Sequence, residues 1–326
     1  MLSMSNYIVF DLEWNQASRK EYENKRLRFE ILQIGAVKLS PEGKFMGSYT
    51  SYVRPSVYKR IHDMTQKVVH FNIKQLMKER GFKRVAEEFL KWCGEDYYFC
   101  SWGTSDLSVL QSNLAYYDMP PLSKGPLKYY DAQKIFSLHF EDGKSRKSLG
   151  AASEMLNIKG NSNFHSAMAD ADYTAKIFVR FIGSEAIKYH SFDNYYLPED
   201  KESEIKEKFP TYNKYISRAY EDKNAAMRNR EVSSVRCPKC GKNCKRLIKW
   251  FTANSGKYFL CLASCKDHGF VKSKARIKKN ERAFNIYVMK TTKLIDDTIA
   301  EEIRDRYKKA KEKDKNKEAK SEEKLS

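Results

Sequence analysis

No stretch of this chain is apolar for the roughly 20 residues that a membrane-spanning helix needs, so no such span is expected. The first six residues lack a basic stretch followed by an apolar one, so no secretory signal is expected either. No internal repeat is visible. Acidic residues almost vanish from 233–290, where two Asp/Glu face fifteen Lys/Arg, while residues 1–185 carry 21 against 26. Much of the formal net charge of +19 on 326 residues therefore falls in one segment. An even excess of lysine would read as solubilisation, but a concentrated one reads as a surface for a polyanion. Cysteine is sparse before residue 237, and five of the seven fall between Cys237 and Cys265. An odd, clustered set with no leader points to metal ligation in a reducing cytoplasm and away from a disulfide frame.

What is present divides into four stretches. Residues 7–10 form a short apolar run ending in Asp11-Leu12-Glu13, which suits a buried strand. Residues 31–39 and 44–53 are strand-like and joined by a Ser-Pro-Glu-Gly turn. Phe82, Val85, Ala86, Phe89 and Leu90 recur at helical spacing, and residues 97–102 follow as a strand. A helix over 105–117, a strand over 128–132 and helices over 148–156 and 166–182 complete the region. Three strands followed by alternating helices and strands suit an α/β fold with a mixed sheet covered by helices. The expected domains are 1–184 for this fold, a charged and partly helical connector over 185–232, a basic cysteine module over 233–290, and a charged tail, helical or disordered, over 291–326.

The candidate chemistry lies in the acids. Strand alternation puts Asp11 and Glu13 on one face, where two carboxylates can hold a hard cation such as Mg²⁺ or Mn²⁺. Asp106 should start a helix just beyond a strand, a place where the helix dipole alone also favours an acid. His165 precedes a helix that carries Asp170 in its first turns, and Ala167 and Ala169 are small enough to let that helix approach its neighbour. Asp172 points elsewhere. Asp131, at the end of the 128–132 strand, reads as a helix cap.

Taken together, Asp11 and Glu13 in Val-Phe-Asp-Leu-Glu, then Asp106, then His165 and Asp170 in His-x-Ala-x-x-Asp resemble the DEDDh branch of the DnaQ-like 3′→5′ exonucleases. Gln33-Ile34-Gly35-Ala36-Val37 and Tyr52-Val53-Arg54-Pro55 are similar to supporting strands of that family, over residues 6–183. A tyrosine-type member would need Tyr where Ser166 stands. Trp92 and Ser101-Trp102-Gly103 resemble the branch that trims small RNAs and histone stem-loops.

The resemblance implies an RNase H-like exonuclease fold with a mixed central sheet flanked by helices. It also implies two Mg²⁺ or Mn²⁺ held by Asp11, Glu13, Asp106 and Asp170, with Asp11 bridging both ions. His165 is implied as general base for the attacking water, which suits an imidazole whose ordinary pKa is near neutral. Met64 and Thr65 align with the family's Leu-Thr-Gly-Ile segment near the terminal nucleotide, with Gln66-Lys67 in place of Gly-Ile. Trp14, Trp102 and Phe164 flank the acids, where they either stack on terminal bases or pack around the sheet.

Cys237-x₂-Cys240 and Cys261-x₃-Cys265 carry the spacing of a small β-rich zinc ribbon with one structural Zn²⁺, with Cys244 and His268 as spare ligands. The partner expected for the whole chain is nucleic acid, RNA ahead of DNA. The alternatives are a DNA-trimming or repair exonuclease of the same mechanism and a non-catalytic nucleic-acid-binding protein.

Overall fold

The structure, a computed structural model, describes residues 5–68, 73–158, 166–254, 257–280 and 282–322, without the side chains of Met64, Lys67, Val68 and residues 313–322. The chain forms two compact units, Met1–Tyr196 and Leu197–Ser326. Among the described residues no helix is long and apolar enough to cross a membrane.

The first unit is built on strands β1 (Asn6–Asn15), β2 (Glu30–Leu39) and β3 (Phe45–Tyr52), followed by helices α1 (Asp63–Val68), α2 (Ile73–Leu76) and α3 (Phe82–Cys93). Then come β4 (Tyr97–Ser101), α4 (Ser105–Tyr116), β5 (Leu127–Asp131), α5 (Ala132–Phe140), α6 (Leu149–Met155), α7 (Ala167–Phe178) and β6 (Ser191–Asp193). The sheet runs β3-β2-β1-β4-β5-β6. β1 is antiparallel to β2 and parallel to β4, β4 is parallel to β5, and β5 is antiparallel to β6. Alternation along β1 feeds two cores. Ile8, Phe10 and Leu12 join Phe89 of α3 and Leu110 of α4 beneath one face, while Tyr7 and Val9 join Ile177 and Phe178 of α7 beneath the other. Because β1 and β4 are parallel neighbours, their C-terminal ends open at the same edge of the sheet.

The second unit contains β7 (Ile205–Lys208), β8 (Asn213–Ile216), α8 (Lys223–Arg228), α9 (Arg230–Ser233), β9 (Lys245–Ala253), β10 (Tyr258–Cys265), β11 (Gly269–Lys279), β12 (Ile286–Leu294) and α10 (Asp297–Glu322). Its sheet is antiparallel throughout, in the order β7-β8-β12-β11-β10-β9. The expected small β-rich ribbon is thus part of a six-stranded sheet. Residues 185–232, expected as a connector, are divided between the units: they supply β6 to the first sheet and β7, β8, α8 and α9 to the second. These strands have three or four residues, too few for a hydrophobic period to show. The tail is not wholly solvent-facing. Ala300 and Ile303 of α10 are buried with Ile248 of β9 and Leu262 of β10, and Ile299 and Tyr307 pack beside them.

Candidate active site

Asp11 and Glu13 continue the row of Tyr7 and Val9, so both carboxylates emerge on the face that α7 covers. The approach of α7 is set by β2. Gly35 pairs with Asp11 across the sheet, and a Cβ at residue 35 would lie 2.2 Å from the Ala167 carbonyl carbon and from the Met168 nitrogen. Gln33 pairs with Glu13, is buried, and accepts the Ala167 N–H through Oε1 at 3.2 Å. Ser166 caps the helix, its Oγ accepting the Ala169 N–H at 3.3 Å. Ala167, Ala169 and Ala171 are all buried, so nothing bulky holds the helix off the sheet. Asp170, in the first turn of α7, is thereby set over β1. One oxygen from each of Asp11, Glu13 and Asp170 lies within 4.8 Å of the others.

Asp106 reaches the same place from β4. It sits in the first turn of α4, is 5% exposed, and accepts the backbone N–H of Leu12 at 3.2 Å. Its charge acts on Asp11 and Glu13, as does that of Asp170. Burial and the neighbouring Asp106, Asp170 and Glu13 charges hold the Asp11 carboxyl well above the usual carboxylate range. Burial, then Asp170 and Asp106, push Glu13 up to about 7. Asp106 is pushed up to about 7 as well, mainly by burial, against the hydrogen bonds from its own and the Leu12 N–H. Carboxyls crowded in this way, without a cation, share protons; a divalent cation with oxygen ligands fits the donor set and would displace those protons.

Two buried polar residues pin the loop beside this cluster. Asn15 Nδ2 donates to the carbonyls of Tyr58 and Arg60 at 3.3 and 2.8 Å, and its Oδ1 accepts the His62 N–H at 2.9 Å. Glu30 accepts the N–H groups of Ser56, Val57 and Tyr58 at 2.6 to 2.8 Å. The loop leads into α1, where the Thr65 hydroxyl donates to the Trp14 carbonyl at 3.3 Å. Sequence reasoning missed Gln33, Gly35, Asn15 and Glu30 as parts of the site. A signal existed for Gln33, a polar residue inside the apolar run Ile31-Leu32-Gln33-Ile34.

The other candidate residues are placed as follows. The Trp14 ring packs on Phe29 at 5.7 Å. The Trp102 ring meets Phe136 edge-on at 5.7 Å, and its Nε1 donates to the Lys147 carbonyl at 3.2 Å, so it anchors the sheet's second core. Asp131 caps α5 by accepting the Lys134 N–H at 2.9 Å. Phe164, His165 and the Met64 side chain lie outside the described residues.

The cysteine module differs from expectation in one ligand. The clustered donors are Cys237, Cys240, Cys265 and His268, all within 4.8 Å. Cys237 Sγ and Cys265 Sγ each lie 3.6 Å from His268 Nδ1, and Cys240 Sγ lies 3.7 Å from Cys265 Sγ. Tetrahedral Zn–S bonds of about 2.3 Å imply ligand separations near 3.8 Å, so the set has the dimensions of a zinc site. Cys261 is outside it. At about 3.3 Å per residue, four strand residues put its backbone roughly 13 Å from that of Cys265. Its Sγ instead donates to the Ile248 carbonyl at 3.2 Å in the core, and burial pushes the thiol up to about 12. Cys265-x₂-His268 across the β10–β11 turn mirrors Cys237-x₂-Cys240, and that short spacing was the legible signal.

A protein-family model described as an exonuclease, RNase_T, matches residues 8–178. No curated protein matches the chain. Among solved structures, the cell-death related nuclease CRN-4 aligns at 18% identity over 55% of this chain and 64% of that one, with a TM-score of 0.46. The nuclease domain of 3′hExo, described as a DEDDh family member bound to rAMP, aligns at 19% identity over 55% of this chain and 92% of that one, with a TM-score of 0.47. E. coli Exonuclease I in complex with an oligonucleotide aligns at 12% identity over 55% and 41%, with a TM-score of 0.43. The chain thus spans under two thirds of the length of the first and the last of these.

Proposed function

The chain belongs to the exonuclease family whose model covers residues 8–178, and on that footing we propose that it is a metal-dependent 3′→5′ exonuclease releasing 5′-mononucleotides, with RNA as favoured substrate. The observation that carries this reading is the meeting of Asp11, Glu13 and Asp170 within 4.8 Å, joined through Leu12 by Asp106. Asp11, Glu13, Asp106 and Asp170 would hold two Mg²⁺ or Mn²⁺, which when bound supply charge stabilisation to the attacking and leaving oxygens of an in-line displacement. Asp11 feels the charges of Asp106, Asp170 and Glu13, so it stands among all the other acids of the set. His165, five residues before Asp170, takes the proton of the attacking water. The water oxygen bonds to the phosphorus of the last nucleotide, the P–O3′ bond breaks, and the shortened strand keeps a 3′-hydroxyl. Trp92 and Ser101-Trp102-Gly103 support RNA by their resemblance to the RNA-trimming branch. Cys237, Cys240, Cys265 and His268 would hold one structural Zn²⁺ in the second unit.

The test is product analysis on matched 5′-labelled RNA and DNA strands with Mg²⁺ or Mn²⁺. Shortening from the 3′ end, faster on RNA, and suppressed about a hundredfold or more in Asp11→Asn and His165→Ala, is expected. Intact 3′ ends under every condition would sink the catalytic reading and leave a binder. A faster DNA rate would overturn the RNA preference alone.

A further inference from the structure

The second unit carries a charged row that the nuclease site does not use. On β11, Ser273 and Ala275 are fully buried and Ile277 packs against the same core. Strand alternation therefore turns Lys272, Lys274, Arg276 and Lys278 to the opposite face of the sheet, about 6.8 Å from one to the next. α10 packs on this face over Leu262, the cross-strand partner of Lys272, so the row starts beside that helix and runs out from under it. Arg276 and Lys278 are exposed. Aromatic rings flank the row on both neighbouring strands. Tyr287 of β12 pairs with Lys278, and Lys274 Nζ stands 3.8 Å from the centre of the Tyr258 ring of β10. The four strands β9 to β12 hold ten Lys/Arg and no Asp or Glu. Burial, then the positive charges of Arg276, Lys272 and Arg306, lower the Lys274 pKa, so the field along the row is positive.

We propose that this face, with Lys272, Lys274, Arg276 and Lys278 as its cationic row and Tyr258 and Tyr287 beside it, binds the backbone and bases of a single-stranded nucleic acid. The cations stand in a line at the repeat of successive phosphates on an extended strand, and rings interleaved with them offer stacking faces that a duplex has no free bases to meet. A membrane surface would use the charge but not that ordered interleaving. The inference rests on the nuclease reading only for the identity of the polyanion. It makes the second unit a holder of the strand outside the hydrolytic site.

Fluorescence anisotropy of the full chain tests it, using labelled U-rich and T-rich strands of about 20 nucleotides and a duplex of the same length, in buffer without Mg²⁺ or Mn²⁺. Lys274→Gln/Arg276→Gln/Lys278→Gln is expected to weaken single-strand binding about tenfold or more. It should also flatten the slope of log affinity on log salt by about 2, at about 0.7 for each lost phosphate contact. Tyr258→Ala should weaken single strands more than duplex. Lys44→Gln/Lys83→Gln/Lys91→Gln, three exposed lysines of the first unit, serves as the net-charge control and should stay within about twofold. Thermal melting checks that each variant folds, and Arg276→Glu and Lys278→Glu at the two exposed positions repeat the measurement singly. An unchanged affinity and slope, an equal loss in both triple variants, an equal loss on duplex, or a loss confined to phosphatidylserine vesicles overturns the proposal. Binding without catalytic ions is read apart from hydrolysis, so a chain that binds strands here but never trims them would sink the nuclease reading alone.

Discussion

The carboxylate of Asp106 accepts the backbone N–H of Leu12, the residue between Asp11 and Glu13, across 94 positions of sequence. The bond ties the first turn of α4 to the end of β1, so the third acid is held by the strand that carries the first two. It also separates two roles of one side chain, charge and hydrogen-bond acceptance.

Replacing Asp106 by Asn keeps an acceptor for Leu12 and removes the charge. Asp106→Asn should lose about a hundredfold or more in hydrolysis, with little change in unfolding free energy below about pH 6, where the raised Asp106 carboxyl is itself neutral. Asp106→Ala should lose as much activity and in addition about 1–3 kcal/mol of stability, because a buried N–H is left without its partner. Initial rates and urea unfolding of both variants check this; equal stabilities would mean that the bond to Leu12 contributes nothing.

Gly35 is required by contact and not by backbone conformation. Gly35→Ala places a methyl group 2.2 Å from backbone atoms of α7, which cannot yield as a flexible side chain would. The helix start must move, and Asp170 with it. The expected result is a loss of about 1–3 kcal/mol or more and a weakened response of the melting temperature to Mn²⁺. A variant with wild-type metal response would show that α7 adjusts without moving Asp170.

The pH dependence follows from the raised carboxyls. Glu13 and Asp106 reach about 7 in the folded protein from ordinary values of 4.5 and 3.8, and Asp11 is raised as well. A raised folded pKa contributes stability that is fully present below the unfolded pKa and is lost as pH rises through the folded one. Without divalent ions, the first unit should therefore lose stability between about pH 4 and pH 7 through these groups. Added Mg²⁺ or Mn²⁺ should restore it, with an increment that grows over the same window. Calorimetry at several pH values, with and without ions, measures it, and Asp11→Asn should shrink the increment. A pH-independent increment would mean that the ions bind elsewhere.

The thiol and imidazole set predicts an asymmetry between two neighbouring ligand candidates. On the zinc reading of this set, His268→Ala should release the Zn²⁺ and lower the melting temperature of the second unit. Cys261→Ala should retain the metal and cost only the packing of a small buried side chain, on the order of 1 kcal/mol. Elemental analysis of the purified variants decides; metal lost from Cys261→Ala would return that thiol to the ligand set.

Loop geometry near the acids supplies a last test. Glu30 is 1% exposed and gathers three backbone N–H groups of residues 56–58. Glu30→Gln turns one acceptor oxygen into a donor facing those N–H groups. On the exonuclease reading, KM for a short strand should rise several-fold with a smaller change in kcat, because the loop leads to Thr65 and not to the carboxylates. A fall in kcat at constant KM would instead assign Glu30 to the chemical step.

Much of the first unit was legible because its signals are local. Period-2 and period-3.6 patterns mark β1 to β5, α3, α4, α6 and α7, while α5 was announced only by its cap Asp131, and Asp11 and Glu13 share a face by alternation alone. The short strands β6, β7 and β8 were not legible, since three or four residues carry no period and their pairing is decided by partners far along the chain. In α10, Ile299, Ile303 and Tyr307 stand four apart within a charged stretch, a helical stripe hidden by the surrounding composition.

Sequence alone determined which side chains exist to do chemistry: the acids in order, the paired cysteines, and the basic run without acids. Those are matters of residue type and short spacing, which the covalent chain carries by itself. Tertiary structure alone decided which of them meet. Gln33 and Gly35 set α7 against the sheet and so bring Asp170 to Asp11. The length of β10 removes Cys261 from the thiol cluster and lets His268 take its place, because a ligand atom only a few ångströms out of position cannot share an ion.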